Sequence, residues 1–303
     1  MKLAVQINTY KSPYSSAGIA DILADRAIWA EKAGFKTFFT MDHFFQHESM
    51  GPFDDPMLDV FGALSFVAGK TTTINLGQMV LGVTYRNPAI AIKQATTLDI
   101  LAGGRTYFGI GAAWFEREHL ALDVPFPPMK ERFERLEEQL QIAQQLWSDE
   151  TGPYNGKHYR LTETVHAPQP ISRPYPKIMI GGSGEKKTLR MVAQYGDACN
   201  ISTRDGIEAL QHKLNILQEH CSALGRDYSE IEKTSNGGFG VLSRSGAEGT
   251  MHPDEAMDLL GKLAASGVDT ALMGIPAVDS PESREIVEKE LIPYADSLAV
   301  ADR

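Results

Sequence analysis

Eight short apolar segments alternate with stretches of helical periodicity, and this alternation limits the fold of the 303-residue chain more than any other feature. Strands are predicted over residues 2–7, 36–41, 74–83, 105–112, 176–182, 197–202, 237–242 and 269–274. Helices are predicted over residues 18–32, 88–102, 129–147, 184–194, 206–224, 254–265 and 281–297. The pattern indicates an α/β fold, a (β/α)8 TIM barrel. A doubly wound sheet is disfavoured because residues 5–16, after the first strand, contain no glycine.

The interval between the fourth and fifth predicted strands is roughly twice as long as a normal repeat of such a barrel. Part of it is the predicted helix 129–147, whose apolar residues Phe133, Leu136 and Leu140 are expected to belong to the core. Residues from about 148 to 176 are rich in Pro, Gly and polar side chains, and we expect them to pass over the top of the barrel. The chain is therefore predicted to be a single domain, residues 1–303, with an insertion between strands 4 and 5.

Composition excludes several classes of partner. The net charge is −10 and the longest basic cluster is Lys186-Lys187, so nucleic acid is not an expected partner. The two cysteines, Cys199 and Cys221, are too few for a disulfide framework or a metal cluster. The sequence has no apolar run long enough to cross a membrane. We expect a soluble protein of the reducing cytoplasm that acts on a small molecule.

Unusual residues follow three of the predicted strands. Asp42 and His43 come after the second strand, and Trp114 follows a run of small residues after the fourth. After the fifth strand, the sequence GGSG at 181–184 opens a predicted helix, whose free N–H groups suit a phosphate. The carboxyl-terminal ends of all barrel strands meet on one face, where barrel enzymes have their active sites. The three segments therefore indicate one site.

Each of these features also has an explanation that needs no ligand. Gly-rich turns between strands and helices are common without a phosphate, Trp114 can simply pack, and Asp42 can cap a turn. A lone histidine such as His43 is more often a hydrogen-bonded structural residue. His43 and His47 have the spacing of metal ligands only on a helix, which the preceding strand argues against, so no metal site is predicted. The coincidence of three unusual strand ends on one face favours a functional site.

Five motifs are similar to the luciferase-like monooxygenase superfamily. They are FFTMDHFFQ, GQMVLGVTYRNPA, GGRTYFGIGAAWFEREH, RFERLEEQLQIAQQLW and PKIMIGGSGEKKTLRMVAQYGDACNI. The resemblance extends from about Lys2 to Ser202 and, within the superfamily, is greatest to the oxidoreductases that use the deazaflavin coenzyme F420. FMN is the alternative cofactor.

The resemblance implies roles for particular residues. His43 would face the ring of the coenzyme as an acid or base, and a cis peptide bond between Met79 and Val80 would support the ring from behind. The glycine-rich turn at 181–184 would bind the phosphate. The implied cofactor-binding residues are Asp42, Met79, Val80, Gly82, Ala112, Ala113, Trp114, Gly181, Gly182, Ser183 and Gly184.

The sequence also departs from part of the family. Relatives that oxidise a sugar phosphate with F420 have a glutamate at the position of Trp114 and a tryptophan at the position of His47, so their acid–base pairing does not transfer. An indole in place of an acid suits an apolar, conjugated or aromatic substrate. Glu116 and Glu118 lie nearby, and the sequence leaves open whether either of them participates.

We hypothesise an F420-dependent oxidoreductase in which a hydride passes between the coenzyme and a small organic substrate while His43 exchanges the proton. Phe45 and His47 are expected to shape the substrate side, and the loops 44–56, 151–176 and 275–281 to supply much of the pocket wall. Two alternatives are an FMN-dependent monooxygenase that uses reduced flavin and oxygen, and a barrel that binds a cofactor without catalysis. The resemblance also suggests a homodimer.

Overall fold

The computed structural model of the chain describes residues 1–11, 16–274 and 278–301. In these residues eight parallel strands form a closed barrel, which confirms the predicted fold. The strands are β1 (Lys2–Ile7), β2 (Thr37–Thr40), β3 (Asn75–Gln78), β4 (Thr106–Gly111), β5 (Lys177–Gly181), β6 (Ala198–Ser202), β7 (Glu232–Asn236) and β8 (Thr270–Gly274). Each strand pairs with the next, and β8 pairs with β1 to close the ring.

Helices surround the barrel and cover the outer face of the strands. They are α1 (Ile19–Ala33), α2 (Val60–Ala68), α3 (Pro88–Leu101), α4 (Glu116–Ala121), α5 (Met129–Leu146), α6 (Thr188–Tyr195), α7 (Ile207–Leu224), α8 (Pro253–Ala265), α9 (Pro281–Ile286) and α10 (Ile292–Ser297), with a π turn at Val287–Leu291. Because both faces of a barrel strand are buried, the strands read as apolar runs; every residue of β4 is buried. Among the described residues, no helix has the length and apolar character that crossing a membrane requires.

The barrel interior is filled at its lower end and therefore holds no open channel. Ala4, Phe39, Tyr107 and Leu272 pack together inside the barrel. Below them Glu232 accepts a hydrogen bond of 2.8 Å from the Tyr107 hydroxyl and pairs with lysines at the amino-terminal ends of the strands. This packing leaves the carboxyl-terminal end of the barrel as the place for a ligand.

The structure differs from the sequence predictions at three elements. The seventh strand is Glu232–Asn236 and not 237–242, because charged residues occupy its start at the barrel floor, while Gly237 and Gly238 have positive φ angles. Helix α2 was missed because it is apolar on nearly all sides and has no amphipathic period. The third strand is interrupted: it ends at Gln78 and resumes as the short strand Leu81–Gly82, after a cis peptide bond between Met79 and Val80.

The insertion between β4 and β5 lies elsewhere than predicted. Buried Glu138 of α5 accepts the N–H groups of Lys157 at 2.8 Å and Tyr159 at 2.9 Å, next to a small hairpin formed by residues 154–161. Buried Asp99 of α3 accepts the N–H groups of Ile171 and Ser172. Buried backbone N–H groups outside helices and strands need such acceptors, because no regular secondary structure pairs them. The segment 148–176 therefore lies along the outer helices and toward the amino-terminal ends of the strands, which corrects the expectation that it passes over the barrel top.

Candidate active site

A cavity of about 890 Å³ lies at the carboxyl-terminal ends of the strands. Its wall includes His43 and every residue that the resemblance assigned to the coenzyme, namely Asp42, Met79, Val80, Gly82, Ala112, Ala113, Trp114, Gly181, Gly182, Ser183 and Gly184. Strand-end segments that are far apart in sequence therefore meet at one site. Gln6, Asn200 and Asn236 add polar groups to the wall. Phe133, which was expected in the core, also lines the cavity, together with Met129.

Glycines allow β3, β4 and β5 to approach each other beneath the cavity. A Cβ atom on Gly109 would lie 1.9 Å from the carbonyl oxygen of Gln78, and one on Gly181 would lie 2.6 Å from Cγ2 of Val80. Neither position has room for a side chain, so glycine is required at both. The Val80 side chain fills the space between these strands and forms part of an apolar surface facing the cavity.

Asp42 is almost completely buried, with 2% of its surface exposed. Nη1 of Arg86 lies 2.7 and 2.8 Å from its two carboxylate oxygens, and the N–H of Gly82 donates to it at 3.2 Å. Burial raises the pKa of Asp42, and Arg86 opposes that rise. Asp42 thus joins the end of β2 to the loop after β3. Sequence reasoning missed Arg86, although it stands in the motif GQMVLGVTYRNPA, just after a strand.

His43 contacts a buried carboxylate. Its Nδ1 atom lies 3.0 Å from Oε2 of Glu118, which has no exposed side-chain surface. Glu118 also accepts hydrogen bonds from the Tyr85 hydroxyl and from the N–H groups of Phe44 and Phe45, the last at 2.8 Å. Burial works against the charge of Glu118, but the hydrogen bonds from His43 and Tyr85 outweigh it and lower the pKa of this carboxyl.

This contact distinguishes the two acids of α4. Glu118 faces inward to His43, whereas Glu116 is exposed. The two residues are spaced by two positions on a helix and therefore point in different directions.

Trp114 lies at the rim of the cavity, 57% exposed, with its ring 5.5 Å from that of His43 and stacked on Phe115. His47 packs against Trp114 at 4.9 Å, and Phe45 stacks on Phe53 at 4.5 Å. Neither His47 nor Phe45 is on the cavity wall, so the prediction that they form the substrate side is corrected. His47 instead packs against Trp114, which is on the wall, because the chain turns away from the cavity after His43.

Two of the three loops that were predicted to form much of the pocket wall do not line this cavity either. Residues 44–56 and 151–176 contribute nothing to the lining of this cavity. Of the loop 275–281, residues 275–277 lie outside the described part of the chain. The cavity wall comes instead mainly from the strand ends, the turn after β5 and the start of α5.

The glycine-rich turn after β5 forms part of the cavity wall. Gly182 has a φ angle of +104°, and a Cβ atom on Gly184 would lie 3.0 Å from Oγ1 of Thr188. Helix α6 begins at Thr188, so residues 184–187 are turn and not helix as predicted. Lys186 and Lys187, which follow the turn in sequence, line the same cavity. Backbone N–H groups and ammonium groups around a space cleared of side chains suit a phosphate.

The residues therefore fit a planar group that carries a phosphate. The wall of one cavity combines an apolar surface, which includes Val80, Ala112 and Trp114, with His43 and the glycine-rich turn 181–184. In the described residues no cluster of three or more His, Cys, Asp or Glu side chains is arranged to hold a metal ion. His43 and His47 have separate partners, Glu118 and Ser49.

Comparisons with known proteins give a consistent result. The sequence model of luciferase-like monooxygenases matches residues 1–248. An F420-dependent glucose-6-phosphate dehydrogenase of Kineococcus radiotolerans is 33% identical over 215 residues, which are 70% of this chain and 61% of that protein. The match thus spans about three fifths of the relative's length.

Two further proteins show the range of cofactors among similar chains. An FMNH2-dependent dimethylsulfone monooxygenase of Pseudomonas putida is 27% identical over 139 residues, which are 46% of this chain and 38% of that protein. The structure of the coenzyme F420-dependent tetrahydromethanopterin reductase of Methanopyrus kandleri superposes with a TM-score of 0.79 at 17% identity, covering 97% of this chain and 99% of that one. At this identity the structural likeness concerns the fold.

Proposed function

The chain belongs to the luciferase-like monooxygenase family, and from this membership we propose that it is an oxidoreductase that uses coenzyme F420. The observation that supports the proposal most is that the residues implied to hold the coenzyme, spread from Asp42 to Gly184 in sequence, line one cavity together with His43. The similarity to F420-dependent dehydrogenases over 70% of the chain supports the choice of coenzyme.

Two groups of residues would hold the coenzyme, one at its ring and one at its phosphate. Met79, Val80, Ala112 and Trp114 would contact its ring, and the turn 181–184 would bind its phosphate through N–H groups. When bound, the deazaflavin supplies or accepts a hydride.

The chain's own side chains supply the proton chemistry and the substrate surface. His43 exchanges a proton with the substrate, as an imidazole does readily near neutral pH. Only 14% of its side chain is exposed, so most of the imidazole ring is packed against neighbouring protein groups. Trp114, Met129 and Phe133 offer an apolar surface on which a substrate can be oriented.

The substrate we propose is a small apolar, conjugated or aromatic molecule. Trp114 stands where sugar-phosphate-oxidising relatives have a glutamate, and the side chains around it are aromatic. Lys186 and Lys187 also line the cavity, directly after the turn that would bind the phosphate of the coenzyme. A substrate of this kind does not need their positive charge.

Turnover without oxygen tests the proposal. We expect the protein to change the absorbance of F420 under anaerobic conditions when conjugated or aromatic acceptors and donors are supplied. The similarity to an FMNH2-dependent monooxygenase favours one competing function. Oxygen consumption with reduced FMN, together with no reaction of F420, would establish that function and exclude ours.

A further inference from the structure

We propose that Glu118 is a positioning residue, which keeps a proton on Nδ1 of His43 and so makes Nε2 the atom that exchanges the proton with the substrate. The inference rests on the proposed function, because it assigns a role within the same site. It concerns a residue that does not line the cavity itself and acts through His43.

The hydrogen bonds around Glu118 leave little choice of proton position. Oε1 accepts the backbone N–H groups of Phe44 and Phe45, which can only donate. Oε2 accepts the Tyr85 hydroxyl and lies 3.0 Å from Nδ1 of His43. An ionised carboxylate has no proton to give, so Nδ1 must be the donor in this contact. The low pKa of Glu118 agrees with an ionised carboxylate at neutral pH.

The position of that proton determines what the rest of the ring can do. A neutral imidazole with its proton on Nδ1 has a free lone pair on Nε2. Among the described residues, none forms a hydrogen bond with Nε2 of His43, and His43 lies on the cavity wall. Nε2 is therefore the nitrogen available to a substrate.

The ring is also held in one orientation. Trp114 and Phe115 contact its edge, with ring centroids 5.5 and 5.8 Å from that of His43. Glu118 is fixed in turn by its two backbone donors, which belong to the residues directly after His43. The histidine and its carboxylate therefore form one rigid unit at the end of β2.

The variant Glu118→Gln separates positioning from packing. Glutamine has nearly the same shape, but its amide group can donate to Nδ1, and His43 would then carry its neutral proton on Nε2. Glu116→Gln is the matched control, since Glu116 is an exposed acid on the same helix.

The first measurement is nitrogen NMR of protein labelled at the histidine rings, without any coenzyme. We expect neutral His43 to carry its proton on Nδ1 in the wild type and in Glu116→Gln, and on Nε2 in Glu118→Gln. A wild-type proton on Nε2 would overturn the proposal, and this arm holds even if Glu118→Gln does not fold. Retention of the Nδ1 proton in Glu118→Gln would overturn it as well.

The second measurement is steady-state turnover of F420. We expect Glu118→Gln to lower kcat by about 100-fold or more with nearly unchanged affinity for F420, because the amide stabilises the wrong tautomer. Glu116→Gln should keep wild-type kcat. Wild-type turnover in Glu118→Gln would overturn the proposal. Failure of the wild type to bind F420 would instead refute the proposed function, while the NMR result would still decide the proton position.

Discussion

At the scale of single residues, His43 shows how a site depends on neighbours from several segments. The sequence suggested this histidine, because it follows a strand end, but not its partner. Glu118 is 75 positions away and lies on a helix whose orientation the local pattern does not define. The two acids of that helix look alike in sequence, and only burial distinguishes Glu118 from Glu116.

The substitution His43→Ala tests the proton-exchange role. We expect turnover of F420 to fall by about 100-fold or more, since general acid–base catalysis typically contributes that much. Affinity for F420 should change little, because the implied ring and phosphate contacts come from other residues. Stopped-flow or steady-state absorbance of F420 measures the first quantity, and fluorescence titration measures the second.

His47→Ala is the matched control for that experiment. His47 is a histidine of the same loop that packs behind Trp114 and not on the cavity wall. It should retain most of the wild-type turnover. An equal loss in both variants would mean that the loop as a whole, and not the imidazole of His43, is needed.

At the scale of elements, the sequence predicted most strands of the barrel because their residues are buried on both faces and apolar. It misplaced β7, whose first residues, Glu232 and Lys233, are charged and belong to the ion pairs of the barrel floor. The position of the insertion could not be predicted either. It depends on the buried acceptors Glu138 and Asp99, and their role is visible only when the segment is packed against them.

Glu31 makes a comparable connection between α1 and the chain before β3. Its Oε1 atom accepts the N–H groups of Thr72 at 2.7 Å and Ile74 at 3.0 Å, as well as both donors of Thr73. Burial opposes the charge, but these hydrogen bonds, led by that of the Thr73 backbone, together outweigh it and lower the pKa of Glu31 to about 2.

The pH dependence of stability follows from the sign of this shift. The contribution of Glu31 is present above the ordinary pKa of 4.5 and is lost as the pH falls toward about 2. We therefore expect the wild type to have a higher free energy of unfolding in urea than Glu31→Gln. This difference should be largest near neutral pH and should shrink in acid. A difference that stays constant from neutral pH to pH about 3 would contradict the account of this carboxylate.

At the scale of the whole molecule, barrel closure explains why distant motifs meet. β8 pairs with β1, so the carboxyl-terminal ends of β2, β4 and β5 lie on one face, and the packed interior prevents a ligand from entering below. This arrangement could be predicted from the alternation of elements. The contribution of Met129 and Phe133 to the cavity wall could not, because both look like ordinary packing residues in sequence. A homodimer, suggested by the resemblance alone, stays a prediction.

The central claim is that the cavity binds coenzyme F420, and a fluorescence titration of the purified protein with F420 and, separately, with FMN tests it most directly. We predict saturable binding of F420 at micromolar concentrations and distinctly weaker binding of FMN. Tight binding of FMN with no detectable binding of F420 would contradict the claim.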